Sequence, residues 1–123
     1  KVNQDSPCIF TRGIGKMYLP VRHGEGKIVV KDDSLLQELE HERLIALNYS
    51  TDAGAPTMDY PENPNGSPLG IAGLTDPSGR VLGLMPHPEA YNHSTNHPAW
   101  TRGESAPLGT ELFKAGIEYL RQQ

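Results

Sequence analysis

A mixed chain, α/β or α+β, is what the sequence predicts, on three observations. Short apolar runs of strand length, at 16–22, 27–31, 43–49 and 80–85, alternate with two segments of helical periodicity. Gly 13 and Pro 11, with an apolar share of only 36%, leave room for long loops between few regular elements. The resulting order is strand, strand, helix, strand, hairpin, helix, and composition does not decide between the two classes.

Each element has its own warrant. Residues 16–22 (Lys-Met-Tyr-Leu-Pro-Val-Arg) read as a strand, with Pro20 assigning it to an edge or a strand end because proline has no N–H for a ladder. Residues 27–31 read as a second short extended piece. Between them His23-Gly24-Glu25-Gly26 is a turn whose glycines permit unusual backbone angles. A short helix follows from Asp32-Asp33-Ser34, with Ser34 and Gln37 at capping-box spacing and Leu35, Leu36 and Leu39 as its apolar stripe. Residues 43–49 form an apolar run suited to a buried strand. Residues 50–69 are a loop of Gly, Pro, Asn, Asp and Ser, and loops of that length in compact domains are usually functional or disordered. Residues 70–76 and 80–85 flank Asp76-Pro77-Ser78-Gly79 and predict a β-hairpin, with Val81-Leu82-Gly83-Leu84-Met85 as a buried second strand. After an irregular stretch at 86–107, a helix runs from Thr110 to Arg121, with Leu112, Phe113, Gly116, Ile117 and Leu120 lining one face.

Composition excludes several classes of function. A chain of 123 residues suits one compact domain with a modest core. The net charge of −4 comes with no basic stripe, so a nucleic-acid footprint is absent. No apolar run approaches the roughly 20 residues that span a bilayer, and the N-terminus has no signal-peptide core, so no membrane partner is expected. A single cysteine, Cys8, cannot form an internal disulfide; it points to a reducing compartment, and a cytoplasmic location is expected. Sequons at Asn48, Asn65 and Asn92 read as unused. The start at Lys1, running at once into strand-like sequence, suggests a fragment, a processed product or a domain cut from a longer chain.

The chemistry is concentrated in Met85-Pro86-His87-Pro88-Glu89. An apolar strand stops at Pro86, and Pro88 drives His87 out of the helical region. In extended backbone, residues i and i+2 share a face, which sets His87 beside Glu89. A carboxylate next to an imidazole fixes its tautomer and stabilises its protonated form, the base-and-orienter half of a nucleophilic triad. By itself the motif is more often a surface turn after a strand.

The surrounding blocks sharpen the reading. Leu19-Pro20-Val21-Arg22-His23-Gly24-Glu25-Gly26, Asn63-Pro64-Asn65-Gly66-Ser67, Ile71-Ala72-Gly73-Leu74 and the run from Gly79 to Glu89 occur in the order found in the class I glutamine amidotransferase domains of the phosphoribosylformylglycinamidine synthase family, which this chain resembles over roughly residues 16–120. The resemblance implies an α/β class I glutamine amidotransferase-like fold, a flavodoxin-like sandwich with a mainly parallel sheet, of which residues 1–123 supply only the C-terminal portion. It implies that glutamine is hydrolysed to supply ammonia, which converts formylglycinamide ribonucleotide to its amidine in purine biosynthesis. His87 would be the general base and Glu89 its orienter, with His23, Gly24, Glu25 and Gly26 bordering the glutamine pocket. The partners it implies are the missing N-terminal half of the domain and a synthetase domain or subunit. No cofactor is implied in this portion; ATP and magnesium belong to the synthetase side.

The family's nucleophile is a cysteine in a glycine-flanked elbow, and no such cysteine occurs here. Cys8, between Pro7 and Ile9, lacks the small neighbours that the strained turn requires and reads as a small semi-buried residue. The chain alone is therefore expected to carry half a site and to be inactive. The alternatives are a non-catalytic interaction module on a synthetase, or the glutaminase of another amidotransferase. His87, His93 and His97 with Glu89 have a spacing that zinc could use, but two prolines and no helix fix them, and no metal is expected. Trp100 and Arg102 could stack on a ligand or cover a core edge.

Overall fold

A computed structural model describes residues 1–22 and 24–123; His23, and with it part of the predicted 23–26 turn, lies outside the described residues. Among these residues there are two α-helices, α1 (Asp33–His41) and α2 (Thr110–Arg121), and three strands, β1 (Ile45–Asn48), β2 (Ile71–Thr75) and β3 (Leu82–Leu84). The sheet order is β1-β2-β3 and both pairings are antiparallel. The mixed helix-and-sheet class is therefore present, but the mainly parallel sheet is not. A parallel pair needs a crossover of a dozen or more residues, usually a helix. Here β2 and β3 are joined by a tight turn, and the long connection from β1 to β2 contains no α-helix.

The segments at 16–22 and 27–31 are not strands among the described residues. Their polar groups are met irregularly instead: the Pro20 carbonyl accepts from the His87 N–H at 2.8 Å, and the Ile28 N–H donates to Ser67 Oγ at 3.0 Å. Helix α1 is capped by Asp32, whose side chain accepts from Leu35 N, rather than by Ser34. It ends in a Schellman arrangement: Arg43 takes a left-handed φ of 59°, the Arg43 N–H reaches Glu40 O, and the Leu44 N–H reaches Leu39 O. No residue of α1 is buried.

The hairpin forms as the sequence predicts. Asp76 accepts from the N–H groups of Ser78, Arg80 and Val81, and Gly79 turns at φ 71°, where an added Cβ would strike the Pro7 carbonyl. The core gathers Val2, Cys8, Ile14, Ala46, Leu47, Tyr49, Ala72 and Leu112. Lys1 and Asn3 bond to the outer edge of β1, covering it. The other edge, β3, is less protected than the sequence suggests. Leu82 and Leu84 are half-buried, and Val81 beside them is 64% exposed. Helix α2 shows the same division. Leu112, Ala115 and Gly116 are buried, the last where the Phe10 ring leaves no room for a side chain, while Phe113, Ile117 and Leu120 of the predicted stripe are exposed. Each keeps its helical spacing, but the stripe is wider than the surface these residues supply to cover it.

Candidate functional site

His87 and Glu89 stand on the wall of a cleft of about 640 Å³. Its floor is apolar, formed by Phe10, Leu82, Leu84 and Phe113. The polar wall is completed by Glu25 and Gly26. The His87–Glu89 pair and the Glu25-Gly26 part of the predicted turn thus share one cleft, although their backbones are 61 positions or more apart in the chain.

The His87 imidazole Nδ1 lies 2.7 Å from Glu89 Oε1. That contact arises in a different way from the one the sequence suggests. His87 is extended, at φ −103° and ψ 90°, but Pro88–Ala90 form a 3-10 turn that folds Glu89 back towards the imidazole. Proline at the first turn position suits this, since its φ is already fixed near the helical value. The turn is locked on three sides. The His87 N–H donates to Pro20 O, the Met85 N–H continues the sheet to Ala72 O, and the Gly109 N–H donates to Tyr91 O. Gly109 presses so closely on Pro88 that a Cβ there would collide with the Pro88 carbonyl. Gly109 is a residue that motif reading does not single out for the site; Pro20 stands in the Leu19–Gly26 block, but with no role assigned to its carbonyl.

The electrostatics follow from the geometry. The hydrogen bond from His87 is the main cause that holds the Glu89 carboxyl below its ordinary range, with Arg22 adding a smaller pull. An ionised carboxylate accepts only, so Nδ1 carries the proton and the neutral ring keeps its lone pair on Nε2. A base of this form can take a proton from a thiol or hydroxyl brought into the cleft.

Cys8 has no part in this arrangement. It is 1% exposed, sits in the core cluster beside Val2 and Leu47, and is absent from the cleft lining. Full burial, not the half-burial expected, deprives its sulfur of a path to substrate. The other histidines are occupied separately. His93 Nδ1 meets Thr95 and caps a short turn. His97 is buried against Tyr18 and Tyr91, and its Nδ1 accepts from the Ala99 N–H. Among the described residues no group of three His, Cys, Asp or Glu side chains gathers to hold a metal. Trp100 is half exposed, and Arg102 lies 3.9 Å from Glu104. Among those residues, too, no helix is long and apolar enough to cross a membrane.

Comparison with known proteins bears on the family of the chain. Residues 1–120 match the CobB/CobQ-like glutamine amidotransferase domain. The chain is similar to the phosphoribosylformylglycinamidine synthase subunit PurQ of Dehalococcoides mccartyi, at 38% identity over 98% of this chain and 46% of that protein. PurQ of Methanococcus maripaludis strain C7 is 36% identical over 96% of this chain and 48% of its own length. A phosphoribosylformylglycinamidine synthase of Drosophila melanogaster is 55% identical over 69 residues, which are 56% of this chain and 5% of that protein. The chain spans about half the length of the PurQ relatives it matches.

Proposed function

The chain belongs to the CobB/CobQ-like glutamine amidotransferase domain family, and from that premise we propose that it supplies the base-and-orienter half of the glutaminase site of a phosphoribosylformylglycinamidine synthase. The observation that carries the reading is the 2.7 Å His87–Glu89 contact on the wall of a cleft with an apolar floor.

In this reading His87 Nε2 takes the proton of a cysteine thiol supplied by an upstream portion of the domain. The thiolate attacks the side-chain amide carbon of glutamine. His87 returns the proton to the departing nitrogen as the C–N bond breaks, leaving ammonia and a γ-glutamyl thioester. Water, activated by the same imidazole, then cleaves the thioester to glutamate. Glu89 holds the ring and stabilises its protonated form. The 23–26 turn borders the substrate, and the N–H of its exposed Gly24 suits the glutamine α-carboxylate. Ammonia passes to a synthetase domain or subunit, which converts formylglycinamide ribonucleotide to its amidine with ATP and magnesium. A cytoplasmic enzyme of purine biosynthesis is the setting.

The missing half of the domain packs, in this reading, on the open face. Val81 is 64% exposed beside the β3 edge, and Leu120, 69% exposed, lines one groove with Phe113 and Ile117. An apolar edge of this kind is a pairing surface. Residues 1–123 are then one part of a divided site and are inactive alone.

His87→Ala in the full-length protein tests the proposal. Glutamine-dependent turnover will fall by about 10³-fold or more, while turnover with added ammonia is retained. Equal loss of both activities contradicts the role given to His87.

A further inference from the structure

The sequence block Asn63-Pro64-Asn65-Gly66-Ser67 has no part in the chemistry above, yet it is built with unusual care. Asn63 is 2% exposed and uses its whole amide. Its Nδ2 donates to the carbonyls of Thr57 and Ser67, and its Oδ1 accepts from the N–H groups of Gly66 and Ser67. Two donated and two accepted bonds are the full capacity of a primary amide. The loop so fixed presents two side chains outward to another segment. Asn65 Nδ2 donates to Gly26 O at 2.8 Å, and the Ser67 hydroxyl oxygen accepts from the Ile28 N–H at 3.0 Å. The two are tied to each other as well, since Asn65 Oδ1 accepts from Ser67 Oγ at 2.7 Å and from the Ser67 N–H at 3.0 Å.

Gly26 and its neighbour Glu25 line the His87 cleft. The segment around them belongs to no strand, so its backbone groups find no ladder partners to hold them in register. Side chains from a rigid loop 39 positions away do that work instead.

We propose that Asn65 and Ser67 are positioning residues of the glutamine pocket, fixing the backbone of the 25–28 segment so that Glu25 and Gly26 line the same cleft as the His87–Glu89 pair. The inference rests on the glutaminase reading of that cleft and adds to it the element that sets the substrate wall. Neither residue touches the reacting atoms; both act through the placement of Gly26 and Ile28.

Asn65→Asp separates this role from folding. The aspartate keeps an oxygen for Ser67, so the loop's internal bonds survive, but it has no N–H for Gly26 O. In the full-length protein, glutamine KM will rise about five-fold or more, with ammonia-dependent turnover and Tm unchanged, as expected for the loss of one positioning hydrogen bond. A second readout is independent of the reaction: exchange of the Ile28 amide will quicken by about ten-fold in Ser67→Ala. Unchanged glutamine KM in Asn65→Asp, or equal loss of both activities together with Tm, overturns the proposal. Unchanged exchange at Ile28 overturns the clamp whatever the reaction. A failure of the underlying reading shows elsewhere, as an absence of glutamine hydrolysis in the unmodified full-length protein.

Discussion

The two sides of this small molecule are finished to different degrees. On one side, β1 and β2 are sealed by the N-terminal residues, with Ala46 and Ile71 fully buried and Cys8 nearly so. On the other, β3 and the outer half of α2 display Val81, Phe113, Ile117 and Leu120 to solvent. The site lies on the unfinished side: the His87 cleft is floored by the same apolar surface that Phe10 and Phe113 share. The closed side holds the chain together, and the open side is where, in the proposed function, a second body completes both the packing and the chemistry.

Substitutions on the two sides sharpen that contrast. Ile71→Ala, in the closed core, will cost about 2–5 kcal/mol, read by denaturant unfolding of this chain. Phe113→Ala, on the open face, will change the stability of this chain by no more than about 0.5 kcal/mol. The same substitution in the full-length protein will cost about 3 kcal/mol or more, because the ring is then buried. Equal cost in both contexts would break the comparison, since it would mean that nothing covers this face.

The smallest effect concerns the hairpin that carries β3 to the open edge. Asp76 accepts from Ser78 Oγ and from three backbone N–H groups, chief among the causes the Ser78 hydroxyl, and its carboxyl is held down at about 2 from an ordinary 3.8. A depressed carboxyl adds stability above its unfolded value and loses it as pH falls through its folded one. The contribution is therefore complete above about pH 5 and fades towards pH 2. Asp76→Asn will flatten the fall in Tm between those limits by a small margin, as befits an exposed turn; an unaltered slope would remove Asp76 from the account.

Local signals in the sequence located the hairpin, the run at β1, α2 from Thr110 to Arg121, and the pairing of His87 with Glu89. These depend on neighbours in the chain: a Pro-Ser-Gly turn, a short apolar run, a helical stripe. What the sequence hid is set by distant partners. Residues 16–22 and 27–31 have strand composition, but among the described residues no strand pairs with them, so they remain irregular. The mainly parallel sheet that resemblance implies for the complete domain is not what the three described strands form, since they pair antiparallel through connections without an α-helix. Glu89 reaches His87 through a 3-10 turn rather than along an extended strand, since Pro88 begins a turn as readily as it ends a strand. The contributions of Pro20, Gly109 and Asn65 to the site came through backbone contacts that no spacing rule encodes.

The central claim is that His87 and Glu89 serve a nucleophile other than Cys8. Intact-mass analysis after exposure to an electrophilic glutamine analogue, such as a diazo-ketone, tests it most directly. The account predicts no labelling of this chain, and a single label, blocked by glutamine, on an upstream cysteine of the full-length protein. Specific, glutamine-protected labelling of Cys8 in this chain would contradict it.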